Sequence, residues 1–308
     1  MTKPYDATLI CDLDNTLYDW VAYFVPSFYA MVDHAVAITG CDRVKLLDEL
    51  RAVHQLHHNS EHPFALLETK TVRAWLLMGH ELSELDPALR SFNSERKKLL
   101  KTFPLVSQTL DSLKERKIQI IAYSDSNSLA VIDRLTRLEL GEYFSLIYCV
   151  EKGESSHPKG GPYSSRYLDF PMEKLRYLGR HEKKPNPKVL DHIVRENKLD
   201  PRSVAYIGDS IPKDVSMAKK AGIYSIWAKY GTEIDKLLYS KLIQVSHWST
   251  VDVERERELG LQSDGVSPDF TCDLGFEQVL EAVDIITSRN SSSSGDANSS
   301  LSRLFRET

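Results

Sequence analysis

The chain has 308 residues, 42% of them hydrophobic and 27% charged, and a formal net charge of −5. That length supports a well-buried core and two domains. The acidic balance gives no electrostatic reason to bind a nucleic-acid polymer or an anionic membrane. Cys11, Cys41, Cys149 and Cys272 are scattered without a Cys-x-x-Cys spacing, and no apolar signal segment precedes the first strand, so a reduced, cytoplasmic protein is expected. No apolar stretch is expected to approach the roughly 20 residues that span a bilayer.

The first element, Thr8 to Cys11, is short, apolar and β-branched enough to read as a buried strand. It runs into Asp12-Leu13-Asp14-Asn15-Thr16-Leu17. In an open α/β sheet, ligands bind beyond the carboxyl ends of strands, and residues i and i+2 point the same way. Asp12 and Asp14 can therefore share a site, either binding a cation or dividing ionised and proton-holding roles. The same residues also suit a turn or helix cap whose oxygens accept backbone N–H bonds.

From Tyr18 to about Lys101 the pattern is helical, with apolar residues at helical spacing in Val21-Phe24-Val25-Phe28, Val44-Leu47-Leu50 and Leu66-Leu67-Lys70-Ala74-Leu77. Pro26, Gly40, Pro63 and Pro87 punctuate it. Tyr18, Trp20, Tyr23, Phe24, Phe28 and Tyr29 crowd its entry. They read first as core packing and second as a surface on which a base or sugar ring could stack. His54, His57, His58 and His62 are spaced so that a continuous helix would gather three of them along one face, but Asn59-Ser60 and Pro63 argue that the helix ends there. A polar surface is favoured over a zinc site.

The α/β pattern resumes near Phe103-Pro104, with a helix from Thr109 to Arg116. The strand Ile118 to Tyr123 then runs into Ser124-Asp125-Ser126-Asn127. A helix near Ser128 to Leu138 and the strand Leu146 to Val150 follow, and then a long segment, Glu151 to Lys183, that reads as a surface excursion. Lys183-Lys184-Pro185-Asn186-Pro187 precedes the helical Val189-Leu190-Ile193-Val194. The strand Ser203 to Ile207 runs into Gly208-Asp209-Ser210, with Asp214 five residues past Asp209. A helix near Pro212 to Ala221 and the strand Ile223 to Trp227 complete the alternation. The segment from Tyr230 to about Val266, helical over Glu233 to Leu242 and charged over Val251 to Leu259, could extend the sheet face or make a homodimer contact. A final strand and helix are expected near Pro268 to Ile286, and the Ser-rich tail from Ser288 is compositionally disordered.

Four segments thus carry, in order, Asp12-x-Asp14-x-Thr16, the strand-end Ser124, Lys184 within Lys-Pro-Asn-Pro, and Gly208-Asp209 followed by Asp214. This order resembles the haloacid dehalogenase (HAD) superfamily of phosphohydrolases, over roughly Ala7 to Trp227 and the final strand and helix. Asn15 stands where the family commonly has Gly. The resemblance implies an α/β fold, a doubly wound parallel sheet of Rossmann-like type. Its HAD core is expected over residues 1–17 and 102–287, with an all-helical cap over 18–101 that is mobile in the family and a disordered tail over 288–308.

It further implies that Asp12 is the nucleophile and Asp14 the general acid and base. Ser124 and Lys184 would bind the transferring phosphoryl group. A Mg2+ ion is expected on the Asp12 carboxylate, the Asp14 backbone carbonyl and Asp209, with Asp214 as a further ligand or as the group that holds the site together. Dehalogenases and phosphonate-cleaving members lack a carboxylate at the position of Asp14, so phosphomonoester hydrolysis of a small phosphorylated metabolite is expected, a 5′-nucleotide among the candidates. Phosphotransfer of the mutase kind and a catalytically idle interaction protein are the alternatives. A receiver domain fits poorly, being about half this length and without a helical insert after its first strand.

Overall fold

The computed structural model describes residues 5–62, 64–151, 170–179, 182–249, 254 and 265–289. Seven strands form one sheet: β1 (Ala7–Cys11), β2 (Ile118–Asn127), β3 (Leu146–Val150), β4 (Leu175–Leu178), β5 (Val204–Gly208), β6 (Tyr224–Ala228) and β7 (Phe270–Cys272). Their order is β4-β3-β2-β1-β5-β6-β7, with every neighbouring pair parallel. The chain builds outward from β1 to β4 on one side and then returns to lay β5 to β7 on the other. The strand order therefore reverses at β1, and the loops after β1 and β5 diverge there to leave the crevice in which such sheets bind ligands.

Both faces of the sheet are covered, which is why β1 is buried at all five positions and lacks polar alternation. Leu9 and Cys11 pack with residues of α6 (Val106–Glu115), α7 (Ser128–Arg137) and the helix at 279–289. Ile10 and Ile121 pack on the opposite side with α8 (Pro187–Glu196) and α9 (Ser216–Lys220).

Between β1 and β2 the chain forms α1 (Trp20–Thr39), α2 (Arg43–His57), α3 (Ala65–Glu68), α4 (Lys70–Leu77) and α5 (Asp86–Leu99). Asp19, Asp42 and Thr69 cap α1, α2 and α4 by accepting amide bonds from Ala22, Lys45 and Val72, and α1 ends at Gly40 with φ 65. Pro26, read as punctuation in the sequence, lies inside α1. An interior proline costs about 3 kcal/mol or more. Burial of Val21, Phe24, Val25, Phe28 and Val32 on this helix offsets it, each such side chain contributing roughly 1.5–3 kcal/mol. By length and composition α1 is long and apolar enough to cross a membrane, which corrects the expectation that no stretch approaches that length; 56% of its most apolar window is buried inside the fold.

Two long connections do more than the sequence reading allowed. The excursion over 151–183 carries β4, whose Leu175 and Leu178 are buried against the edge of the sheet. Four residues are too few for an alternation to stand out, which is why the strand escaped notice; residues 152–169 lie outside the described residues. The segment after β6 supplies α10 (Lys236–Val245), capped by Asp235. It packs on α1 and α2, with the Tyr29 hydroxyl donating to the Lys241 carbonyl at 3.1 Å. The charged run over 251–259 lies outside the described residues apart from 254, as does the tail from 290. The last helix continues to 289 and so takes in the first two residues of the expected tail.

Candidate active site

The carboxylates of Asp12, Asp209 and Asp214 converge, each offering an oxygen within 4.8 Å of the others. Asp12 leaves β1 with its amide still bonded to the Ile207 carbonyl of β5 at 2.9 Å, so the ends of the two strands are locked side by side. Asp209 follows β5 directly, and its carbonyl accepts the Trp227 indole N–H at 2.8 Å. Asp214 folds back through a turn of π-helix, Ile211–Val215. Its Oδ1 accepts from the Tyr206 hydroxyl at 2.8 Å and its Oδ2 from the Ser210 amide at 3.0 Å. Gly208 makes room for this, since a Cβ there would overlap the Asp214 carboxyl carbon.

Lys184 enters the cluster from the loop before α8. Its Nζ pairs with Asp12 Oδ1 and, at 3.0 Å, with Asp214 Oδ1. Its amide donates to the Asp125 carboxylate at 3.1 Å, which turns that acid into a support for the lysine loop. Burial opposes the charge on Lys184, but Asp12 and Asp214 outweigh it and hold the ammonium well above the ordinary lysine range. Burial pushes the Asp12 carboxyl up, with Lys184 pulling it down and Asp214 and Asp209 reinforcing the rise. Burial and then Asp214 push Asp209 up to about 7. Three carboxylates, two buried and that of Asp209 half-buried, around one ammonium leave the cluster short of positive charge.

Asp14 turns away from this cluster. Its Oδ1 pairs with Arg134 Nη1, and its Oδ2 accepts from the Ser126 hydroxyl at 2.8 Å. Arg134, on α7, is only 1% exposed; its Nη2 also reaches Glu61 of the helical insert at 2.6 Å and the Ser126 hydroxyl at 3.1 Å. The Tyr23 hydroxyl donates to the other Glu61 oxygen at 3.2 Å. Ser124 lies within β2, which runs on to Asn127 instead of ending at Tyr123 as expected; it is buried, with its hydroxyl accepting the Ser126 amide at 3.1 Å. The register of β2 against β3 shifts between Tyr123 and Asn127, and within this irregular stretch the Ser126 hydroxyl reaches Asp14 in the loop after β1. Asn15 has φ 56, a left-handed conformation that Asn tolerates better than most residues, which explains how it substitutes for Gly.

Arg134, Glu61 and Ser126 were not among the residues singled out in the sequence. One signal pointed to Arg134: it lies i+3 from Val131 and i−4 from Leu138, on the buried stripe of α7. Glu61 had no such signal. Of the four histidines, His54 turns inward, with Nδ1 at 2.6 Å from the Val245 carbonyl, while His57 and His62 meet Glu68. Tyr18, Tyr23, Phe24, Phe28 and Tyr29 are buried, and Trp20 stacks on Phe24 at 5.0 Å. The aromatic entry is therefore core.

A family model described as haloacid dehalogenase-like hydrolase matches residues 7–222. A phosphoglycolate phosphatase of Vibrio vulnificus (strain YJ016) is 25% identical over 237 residues, covering 75% of this chain and 87% of that protein. A glyceraldehyde 3-phosphate phosphatase of Pyrococcus furiosus is 24% identical over 132 residues, covering 43% and 44% of the two chains. Among solved structures, a 2-haloacid dehalogenase from Pseudomonas syringae pv. Tomato DC3000 superposes with a TM-score of 0.51 at 20% identity, over 92% of this chain and 99% of that one. That likeness speaks for the fold. The two curated relatives are named as phosphatases, and the chain itself belongs to the haloacid dehalogenase-like hydrolase family.

Proposed function

We propose that the protein hydrolyses a small phosphomonoester with the help of Mg2+, through an aspartyl phosphate on Asp12. The observation that carries this reading is the convergence of Asp12, Lys184, Asp209 and Asp214 in one buried cluster at the ends of β1 and β5. The donor set fits a hard divalent cation, because the three carboxylates offer only oxygen and Lys184 alone does not balance them. Asp12 and Asp209, with the Asp14 backbone carbonyl, would hold it. When bound, it would neutralise phosphate charge next to Asp12. Asp214 has both oxygens engaged by Lys184, Tyr206 and Ser210, so it would hold the cluster in place.

A phosphate brought to Asp12 meets a repulsion of about 4 kcal/mol per pair of unit charges at 4 Å and an effective dielectric near 20. Lys184 offsets part of it and, with the Ser124 hydroxyl, would hold the phosphoryl oxygens. A carboxylate oxygen of Asp12 attacks phosphorus as the ester P–O bond breaks, and the leaving oxygen takes a proton from Asp14. Water then attacks the phosphorus, Asp14 takes a proton from it, and inorganic phosphate departs with Asp12 restored. In the structure Arg134 and Ser126 engage both Asp14 oxygens, so the carboxyl would have to turn from that pair toward Asp12 and take up a proton before the first transfer.

Arg134, Glu61, Tyr18 and Tyr23 crowd the surroundings of Asp14, which suits a compact leaving group. The Vibrio relative is named for such a substrate. The 5′-nucleotide reading has less support, because the aromatic side chains that suggested it are buried and Asn15 is explained by its backbone. The test is phosphate release from p-nitrophenyl phosphate, 2-phosphoglycolate, glycerol phosphate and UMP, with and without Mg2+. Mg2+-dependent turnover favouring the small esters is expected. No turnover across the panel would point to the idle protein, and phosphate moved onto a sugar hydroxyl instead of into solution would point to the mutase.

A further inference from the structure

His57 ends α2, His62 lies in the turn that follows, and Glu68 ends α3. Their rings and carboxylate meet at one point. The imidazoles stack with centroids 3.5 Å apart and planes 6° from parallel. His57 Nε2 lies 2.8 Å from Glu68 Oε2, and His62 Nε2 lies 2.6 Å from Glu68 Oε1. The three ligand atoms fall within 4.8 Å of one another. His62 is nearly enclosed, with 8% of its side chain exposed, while His57 and Glu68 stay about one-third open. Glu68 also lines an open surface cleft with Asp48 and Glu49, which gives an ion a path from water.

The geometry points to a second metal site: His57, His62 and Glu68 hold a divalent transition ion, with Zn2+ the best match, and water completes the tetrahedron. Two imidazole nitrogens and a carboxylate oxygen are ligands that Zn2+ takes at about 2.0–2.2 Å. Ligands of such a tetrahedron stand roughly 3.3 Å apart by those bond lengths, so the nitrogen-to-oxygen separations must open by about 0.5–0.7 Å, and, because an imidazole binds an ion in its own plane, one of the two parallel rings must also turn to aim its Nε2 at the ion held by the other. Both imidazoles bind neutral through Nε2, with their protons on Nδ1. The donor chemistry separates this site from the cluster at Asp12, because imidazole nitrogen selects transition ions and an all-oxygen set suits Mg2+.

The ion ties together the end of α2, the turn and the end of α3. Glu61 precedes His62 in that turn and carries the ion pair to Arg134. The site therefore fixes the stretch of the helical insert that reaches toward Asp14, without touching the reacting groups.

The test uses the full-length protein, stripped with a chelator and equilibrated with Mg2+ in large excess. Zn2+ is added by calorimetric titration, and bound metal is counted by mass spectrometry. One equivalent of Zn2+ should bind the wild type and Asp209→Asn alike and raise the melting temperature of both. His57→Gln, His62→Gln and Glu68→Gln should each weaken binding about tenfold or more and lose the shift in melting temperature. Long-range 1H–15N spectra of the wild type should show two imidazoles whose Nε2 resonances move on adding Zn2+, a readout that survives if a variant fails to fold. Absence of stoichiometric uptake by the wild type, uptake abolished by Asp209→Asn, or no imidazole shift would overturn the site and leave a hydrogen-bonded trio.

Discussion

Gly208 closes β5 at the point where any side chain would strike the Asp214 carboxyl. Gly208→Ala should therefore displace Asp214, loosen its hold on Lys184 and slow turnover at least about tenfold, or ~1.4 kcal/mol of barrier. Mg2+ titration of the activity should show weaker activation in the variant; a wild-type Mg2+ response would count against the role given to Asp214. Asp12→Asn removes the nucleophile and should bring turnover to background. It also deletes one of three clustered carboxylates, so its melting temperature should equal or exceed that of the wild type. A marked drop in melting temperature would mean that Asp12 is first a structural partner of Lys184. These residues were legible in the sequence because each follows a strand or sits in a short motif, and strand ends in an open α/β sheet are placed by topology alone. Glu61 was not legible. It meets Arg134 across 73 positions of sequence, and only the packing of the insert on the sheet decides that pairing.

Helix α10 is the element whose place was hardest to foresee. Its existence was readable from Glu233 to Leu242, and its start shifts to Lys236 because Asp235 accepts the amides of Leu237 and Leu238. Its docking was not readable, since the partners lie 191 to 215 positions earlier: Tyr29 bonds to Lys241 and Gln244, and His54 to Val245. Burial of His54 lowers its pKa to about 4, against the pull of the Val245 carbonyl and with His62 and His57 adding repulsion. A folded pKa below the unfolded value near 6.5 means that the unfolded chain binds the proton more tightly. The contribution of neutral His54 to stability is therefore complete above about pH 6.5 and declines as the pH falls toward 4, by about 3 kcal/mol in all. Urea unfolding of the wild type and His54→Gln between pH 7 and 4 should show their stability difference shrinking by that amount. Parallel curves would show that His54 does not titrate in this window.

An open α/β sheet could be read from alternating strand and helix patterns, because a fully buried strand declares itself as an unbroken apolar run, whereas the reversal of strand order at β1 is seen only in the structure. How the helical insert is held to that sheet could not, since the ties are single tertiary contacts. Two of them are buried: α10 returns from the β6–β7 connection onto α1 and α2, and Arg134 spans Asp14 and Glu61. An insert tied in this way should unfold together with the sheet. Native-state hydrogen exchange then reports one global opening free energy for the slowest amides of α1 and of β5. Arg134→Ala leaves Asp14 and Glu61 without their shared cation in a largely enclosed setting, a loss of the kind that costs about 3–5 kcal/mol when one partner of a buried pair is removed. Because the lost tie lies between insert and sheet, α1 should open at lower free energy than β5 in this variant. Glu61→Gln keeps the volume and removes one charge, so a smaller gap of the same sign is expected. If α1 and β5 stay equal in Arg134→Ala, the two layers are joined by apolar packing alone and the buried arginine serves only to orient Asp14.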